Sequence, residues 1–142
     1  MESKTLITAR YSETDQMGIV HHSRYYPWFE IARGDFIKQY GITYKTMEED
    51  GLYMPLTECS AKYYNGVLYD DVVEIVCSMV KATVVRCVFE YEVIRVSDGQ
   101  LMTKGTTTHA FCDRDLKPVN LKKKFPKYYE LISEFIKGRG DK

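Results

Sequence analysis

The chain has 142 residues, enough for one domain around a single core, and no stretch of it reads as a linker between two. Twenty basic residues balance twenty acidic ones, and Lys122-Lys123-Lys124 is too short a basic run to hold a nucleic-acid backbone, so nucleic acid is not an expected partner. No apolar stretch is long enough to span a bilayer, and Met1-Glu2-Ser3-Lys4 leads into no signal-peptide core, so a soluble, cytoplasmic protein is expected. Tyrosine is overused, at twelve residues, and its apolar ring with a polar tip suits half-wet clefts and subunit contacts. Cys59, Cys77, Cys87 and Cys112 form no CxxC pair and sit in apolar or alternating stretches, which predicts buried free thiols. His21-His22 is the one histidine cluster, and no metal site is expected.

In chain order, Lys4 to Tyr11 reads as a short strand rich in Thr and aliphatic residues, and Ser12 to Gly18 as a polar loop closed by glycine. From Ser23 to Tyr40 the period changes. Tyr25, Phe29, Ala32, Phe36 and Tyr40 recur every three or four residues, Trp28 and Ile37 widen that stripe, and Gly41 is placed to stop the helix. Pro27 falls in the first turn, where a missing N–H costs little, so the helix is expected to start between Ser23 and Tyr26. Thr43 to Asp50 can add one or two helical turns. Leu52 to Tyr64 reads as extended, broken by Pro55 and ended by Asn65-Gly66.

Val72 to Val85 alternates, with Val73, Ile75, Cys77 and Met79 on one face. Arg86 to Val96 does the same with Cys87, Phe89, Tyr91 and Val93. Ser97-Asp98-Gly99-Gln100 is a hairpin turn, and Leu101 to Cys112 is a threonine-rich strand. Phe125 to Lys137 is a second amphipathic helix carrying Tyr128, Leu131, Ile132, Phe135 and Ile136. Strands joined by short turns pair antiparallel, so the expected class is α+β, one sheet with a central helix. The second sheet face, with Val72, Val76, Val80 and Val88 among charges, is only partly polar, which points to a homo-oligomer.

Chemistry concentrates in the loop before the long helix. Asp15 ends a polar run, Gly18 permits an unusual turn, and His21-His22 stands just before the helix start. A helix N-terminus offers unpaired N–H groups and partial positive charge that favour a developing oxyanion. A carboxylate nearby can attack a carbonyl or activate water to do so. On spacing alone, Asp15 more often reads as a turn residue satisfying loop N–H groups, and His22 as an ordinary loop or capping residue.

The run Arg10-Tyr11-Ser12-Glu13-Thr14-Asp15-Gln16-Met17-Gly18-Ile19-Val20-His21-His22-Ser23-Arg24-Tyr25-Tyr26, with Phe29-Glu30-Ile31-Ala32-Arg33 after it, resembles the signature of the 4-hydroxybenzoyl-CoA thioesterase family and its YbgC-like branch. Lys104 to Asp113 followed by Lys117-Pro118-Val119 is similar to the family's last-strand pattern, so the resemblance spans roughly residues 4 to 121. It implies a hotdog fold over residues 1–142: an antiparallel five-stranded sheet wrapped around the long helix, with a C-terminal helix added, joined edge to edge in a homodimer or homotetramer. The implied activity is hydrolysis of an acyl-CoA, with an acyl carrier protein thioester or non-catalytic acyl-CoA binding as alternatives. Carried over, Asp15 is the nucleophile or general base, and the helix start near His22 polarises the carbonyl. Gly18, Tyr25 and Tyr26 contact substrate, and Lys81, Thr83 and Arg86 meet coenzyme A phosphates. No cofactor is implied, coenzyme A being part of the substrate. Gln16-Met17 and the His21-His22 doublet depart from the commoner pattern and bear on pocket shape.

Overall fold

Alternation on two neighbouring strands decides which way the sheet faces. Val73, Ile75, Cys77, Met79, Cys87, Phe89, Tyr91 and Val93 are each at most 1% exposed, and they point to one side. The computed structural model describes the backbone of residues 1–139 and side chains up to Glu134. Its elements are β1 (Ser3–Thr8), α1 (Tyr25–Lys38), α2 (Tyr44–Glu49), β2 (Leu56–Tyr63), β3 (Val72–Ala82), β4 (Arg86–Arg95), β5 (Leu101–Ala110), α3 (Leu121–Lys124) and α4 (Pro126–Arg139), with 3-10 turns at Tyr11–Glu13 and His22–Arg24.

The strands pair antiparallel in the order β1-β3-β4-β5-β2. Register irregularities at Met79/Lys81, Val93/Ile94 and Leu56/Glu58 bend the sheet, as bulges do, so that it curves around α1. This is the α+β hotdog arrangement that the sequence resemblance implies. Tyr25, Trp28, Phe29, Ala32, Phe36 and Ile37 form the buried stripe of α1. Contact is close at one point, where Phe29 stacks on Tyr91 with ring centroids 4.3 Å apart and planes 13° from parallel. A Cβ on Gly105 would lie 2.6 Å from Phe29 Cε2 and 3.0 Å from the Ser60 carbonyl oxygen, so the side-chain-free position on β5 makes room for the ring.

The C-terminal helix joins the same core through Tyr128 and Ile132, and the expected Phe135 and Ile136 side chains lie outside the described residues. Element boundaries differ from expectation where side chains intervene. β1 ends at Thr8, because residues 11–13 wind into a turn that Glu13 closes by accepting the Arg10 N–H (2.8 Å). α1 begins at Tyr25, inside the expected window of Ser23 to Tyr26, directly after the 3-10 turn at His22–Arg24. Gly41 (φ 77°) follows its end in the left-handed region that glycine tolerates.

β2 has one neighbour and is exposed along its whole length except for the half-buried Ala61. Cys59 is therefore exposed, and the expectation of four buried thiols holds for Cys77, Cys87 and Cys112 only. On the outer sheet face Val76, Val80 and Val88 are half-buried and Val72 is exposed. Among the described residues, no helix is long and apolar enough to cross a membrane.

Candidate active site

The loop before α1 is a small closed structure. Thr14 bridges Val20, the Asp15 N–H donates to the Ile19 carbonyl (2.8 Å), and the Gly18 N–H donates to the Asp15 carbonyl (2.9 Å). Gly18 has φ 85°, a conformation that a side chain would strain, so it shapes the loop from outside the cleft wall. The loop is sewn to the segment after β2 by the Ile19–Leu68 bridge and by the Val20 N–H donating to the Val67 carbonyl (2.8 Å). Asp15 Oδ1 accepts the Met17 N–H (2.8 Å), as a turn aspartate does. Among the described residues, Asp15 Oδ2 has no hydrogen-bond partner. One carboxyl group thus serves the turn with one oxygen and leaves the other available.

Next comes the helix entry. His21 Nδ1 lies 2.8 Å from Ser23 Oγ and accepts the Ser23 N–H (3.2 Å), capping the 3-10 turn. The His21 carbonyl accepts the Arg24 N–H and the His22 carbonyl accepts the Tyr25 N–H. Among the described residues, no group accepts the His22 N–H, one of the orphan donors that a helix start leaves. The His22 ring lies against His21, with centroids 4.1 Å apart.

Asp15, His22 and Tyr25 meet in one cleft of about 300 Å³. Met17, Ile19 and Val20 give it an apolar wall, and Tyr63, Tyr64, Asn65 and Gly66 supply the other side from the end of β2. Asn65 Nδ2 donates to the Leu101 carbonyl (2.9 Å), which fixes that side against β5. A Cβ on Gly66 would fall 2.5 Å from Ile19 Cγ2, so glycine is what lets the Asp15 loop close onto this segment. Burial raises the Tyr25 phenol above its ordinary pKa and keeps it neutral.

The other expected contact residues fall elsewhere. Tyr26 lines a neighbouring cleft, where burial, with Tyr63 and Cys59 beside it, pushes its phenol up to about 12. Lys81, Thr83 and Arg86 sit on and beside the β3–β4 hairpin, while Asp15 is near the opposite end of β3. Nine residue steps along the strand separate Val72 from Lys81, about 30 Å, so one chain does not bring them to the cleft. Thr83 Oγ1 accepts the Val85 and Arg86 N–H groups (3.2 Å each) and so has a role within its own turn.

Glu13 is the residue that sequence reasoning passed over. It is 5% exposed, and its Oε2 accepts the Trp28 indole N–H at 2.9 Å, tying the loop to the first turns of α1. Its backbone carbonyl accepts the His21 N–H (2.8 Å). Burial raises its pKa, but the Arg10 N–H, the Trp28 N–H and the Arg10 guanidinium outweigh that and hold the carboxyl below its ordinary value. Its only sequence signal is a position two residues before Asp15; its partner lies fifteen residues on. Among the described residues, no group of three or more His, Cys, Asp or Glu side chains could hold a metal ion.

The sequence model of the thioesterase-like superfamily matches residues 9–130. The chain is 32% identical to the putative acyl-CoA thioesterase YneP of Bacillus subtilis, over 89% of this chain and 92% of that one. It is 30% identical to the acyl-CoA thioesterase YbgC of Haemophilus influenzae, over 89% and 90%. Its fold matches the crystal structure of a DHNA-CoA thioesterase from Staphylococcus aureus with a TM-score of 0.91 at 34% identity, covering 99% of this chain and 96% of that one. The chain belongs to the thioesterase-like superfamily, as a thioester hydrolase with the hotdog fold.

Proposed function

We propose that the protein hydrolyses acyl-CoA thioesters to the free acid and coenzyme A in the cleft between the Asp15 loop and the end of β2. The observation that carries this reading is the pairing, in one cleft, of a carboxylate with a free oxygen and a helix start with an unused N–H. Asp15 Oδ2 acts as nucleophile on the thioester carbonyl or as general base toward water, a role worth roughly 10²–10⁴ in rate. Negative charge then builds on the carbonyl oxygen. The His22 N–H and the positive end of α1 stabilise it, and loss of one such donor costs roughly 10²–10³.

The coenzyme A thiolate leaves without needing a strong general acid, and no metal or bound cofactor takes part in this scheme. Tyr25, Tyr63 and Tyr64 border the entering acyl group. The exposed β2 edge, with Leu56 and Tyr63 about half-exposed, suits pairing with a second copy, and the whole chain acts as one domain of a homodimer or homotetramer. Buried free thiols at Cys77, Cys87 and Cys112 suit the reducing cytoplasm.

The test is release of free thiol from a panel of aliphatic and aromatic acyl-CoAs, with sedimentation of the same sample. Hydrolysis above background for at least one of them, at a mass of two or four times the 16.6 kDa chain, is the expected result. Binding of acyl-CoA without hydrolysis of any would favour a non-catalytic module instead.

A further inference from the structure

A second cleft, of about 410 Å³, opens between α1 and the β2–β5 edge, and a guanidinium lines it. Arg33, half-buried on α1, donates from Nε to the Tyr44 hydroxyl (2.7 Å) and from Nη1 to the Tyr91 hydroxyl (3.0 Å). Both partners are neutral phenols, for burial pushes Tyr91 up to about 12 and raises Tyr44 as well. Among the described residues, no carboxylate lies within ion-pair distance of Arg33, and its Nη2 has no hydrogen-bond partner and is not fully buried, while Arg33 lines the cleft.

Apart from Glu30 at the rim, the polar groups beside Arg33 are neutral and already committed. Tyr91 Oη lies 2.7 Å from Thr107 Oγ1, which lies 3.0 Å from His109 Nε2, while His109 Nδ1 lies 3.2 Å from the Met54 carbonyl. Full use of these contacts runs one way: Arg33 donates to Tyr91, Tyr91 to Thr107, Thr107 to His109 Nε2, and His109 Nδ1–H to Met54. Burial, then the Arg33 charge, pushes His109 down to about 4, so it stays uncharged near neutral pH. The walls are apolar, from Pro27, Met54, Leu56 and the Tyr26 ring, and Glu30 stands exposed at the rim.

A half-buried cation whose remaining N–H groups face an apolar-walled cleft lacks a counter-anion. The planar fork of a guanidinium matches a carboxylate better than any neutral acceptor. We propose that the Arg33 cleft is a binding subsite for a small organic carboxylate, Arg33 holding its oxygens while Tyr26, Met54 and Leu56 pack on its carbon skeleton. Two sources share this chemistry: a carboxylate carried at the far end of an acyl group, and a free acid of the kind that thioester hydrolysis releases.

Benzoate is the probe, titrated calorimetrically into the intact protein, with isosteric benzamide as the neutral control. Saturable benzoate binding is expected, at least tenfold tighter than benzamide and at least tenfold weakened in Arg33→Gln. Glu30→Gln, at the exposed rim, should tighten benzoate several-fold by removing the one carboxylate of the lining, and keeps the idea testable if Arg33→Gln fails to fold. Asp15→Asn should leave benzoate affinity within twofold, which separates this subsite from the hydrolytic reading. Hydrolysis of succinyl-CoA and butyryl-CoA then distinguishes the sources. A higher KM for succinyl-CoA alone in the Arg33 variant assigns the carboxylate to the acyl group; unchanged KM for both assigns it to free acid. Equal binding of benzoate and benzamide, no binding of either, or benzoate affinity untouched by both the Arg33 and Glu30 substitutions would overturn the proposal.

Discussion

Replacing Glu13 with alanine removes the tie between the Asp15 loop and α1, and the structure sets the size of the effect. Two donors lose their acceptor: the Trp28 indole N–H, which is buried, and the Arg10 backbone N–H, which is partly open to water. A buried donor left unpaired costs about 1–3 kcal/mol, and water recovers part of the second loss. The Arg10–Glu13 ion pair adds almost nothing, since the Arg10 side chain is 74% exposed and the contact is 3.5 Å. The expected destabilisation is therefore about 3 kcal/mol for Glu13→Ala, and about 1–2 kcal/mol for Glu13→Gln, which keeps the volume and one acceptor. Urea unfolding at pH 7 measures both. Trp28 is the only tryptophan in the chain, so its fluorescence reports the contact directly. Because the folded-state pKa of Glu13 is depressed, its stabilisation is present above the unfolded value and is lost as pH falls through the folded one. Trp28 emission should accordingly titrate with a midpoint below the ordinary 4.5. A loss under about 1 kcal/mol in Glu13→Ala, with unchanged Trp28 emission, would mean that Glu13 does not tie the loop to α1.

Gly105→Ala should destabilise the protein by about 1–3 kcal/mol, because the new Cβ meets the Phe29 ring and the Ser60 carbonyl, and Phe29→Leu in the same chain should recover part of the loss; urea midpoints check both. Gly66→Ala should lower kcat/KM, since the Asp15 loop must move off Ile19, and Gly66→Ala with Ile19→Ala should restore much of it in the thiol-release assay. His109 gives a pH signature. Its folded pKa, about 4, lies below the ordinary 6.5, so the unfolded chain takes up the proton first and stability falls as pH drops through that window. Between pH 6.5 and 5 the loss from this group is on the order of 2 kcal/mol, and His109→Gln should flatten that part of the urea-stability profile.

What could be read from the sequence was local and periodic. The alternation of β3 and β4, the Asp98-Gly99 turn and the stripe of α1 each depend on neighbours along the chain, so spacing reveals them. The position of β2 does not follow from spacing. It pairs with β5 forty or more residues away and lies at the sheet edge, which is why Cys59 is exposed. Asp15 and His22 were legible as a carboxylate beside a helix start, and the family motif singled them out. In the far wall, Tyr63 and Tyr64 were legible as tyrosines suited to line an acyl channel, whereas Asn65 and Gly66 were legible only as a strand end, since the Val20–Val67 contact brings them to the loop. Glu13 and Arg33 stayed hidden because their partners come from other elements: Trp28 on α1 for one, Tyr44 and Tyr91 for the other. Lys81, Thr83 and Arg86 cluster in sequence at a turn, and β3 carries that turn to the end of the sheet away from Asp15.

If the free oxygen of Asp15 drives thioester hydrolysis, Asp15→Asn removes that oxygen and little else. Asparagine can still accept the Met17 N–H through Oδ1, so the loop is expected to keep its shape. On an acyl-CoA that the wild type hydrolyses, kcat should fall by roughly 10²–10⁴ with an unchanged urea midpoint. A folded Asp15→Asn variant with kcat within tenfold of wild type would mean that Asp15 does not drive the reaction.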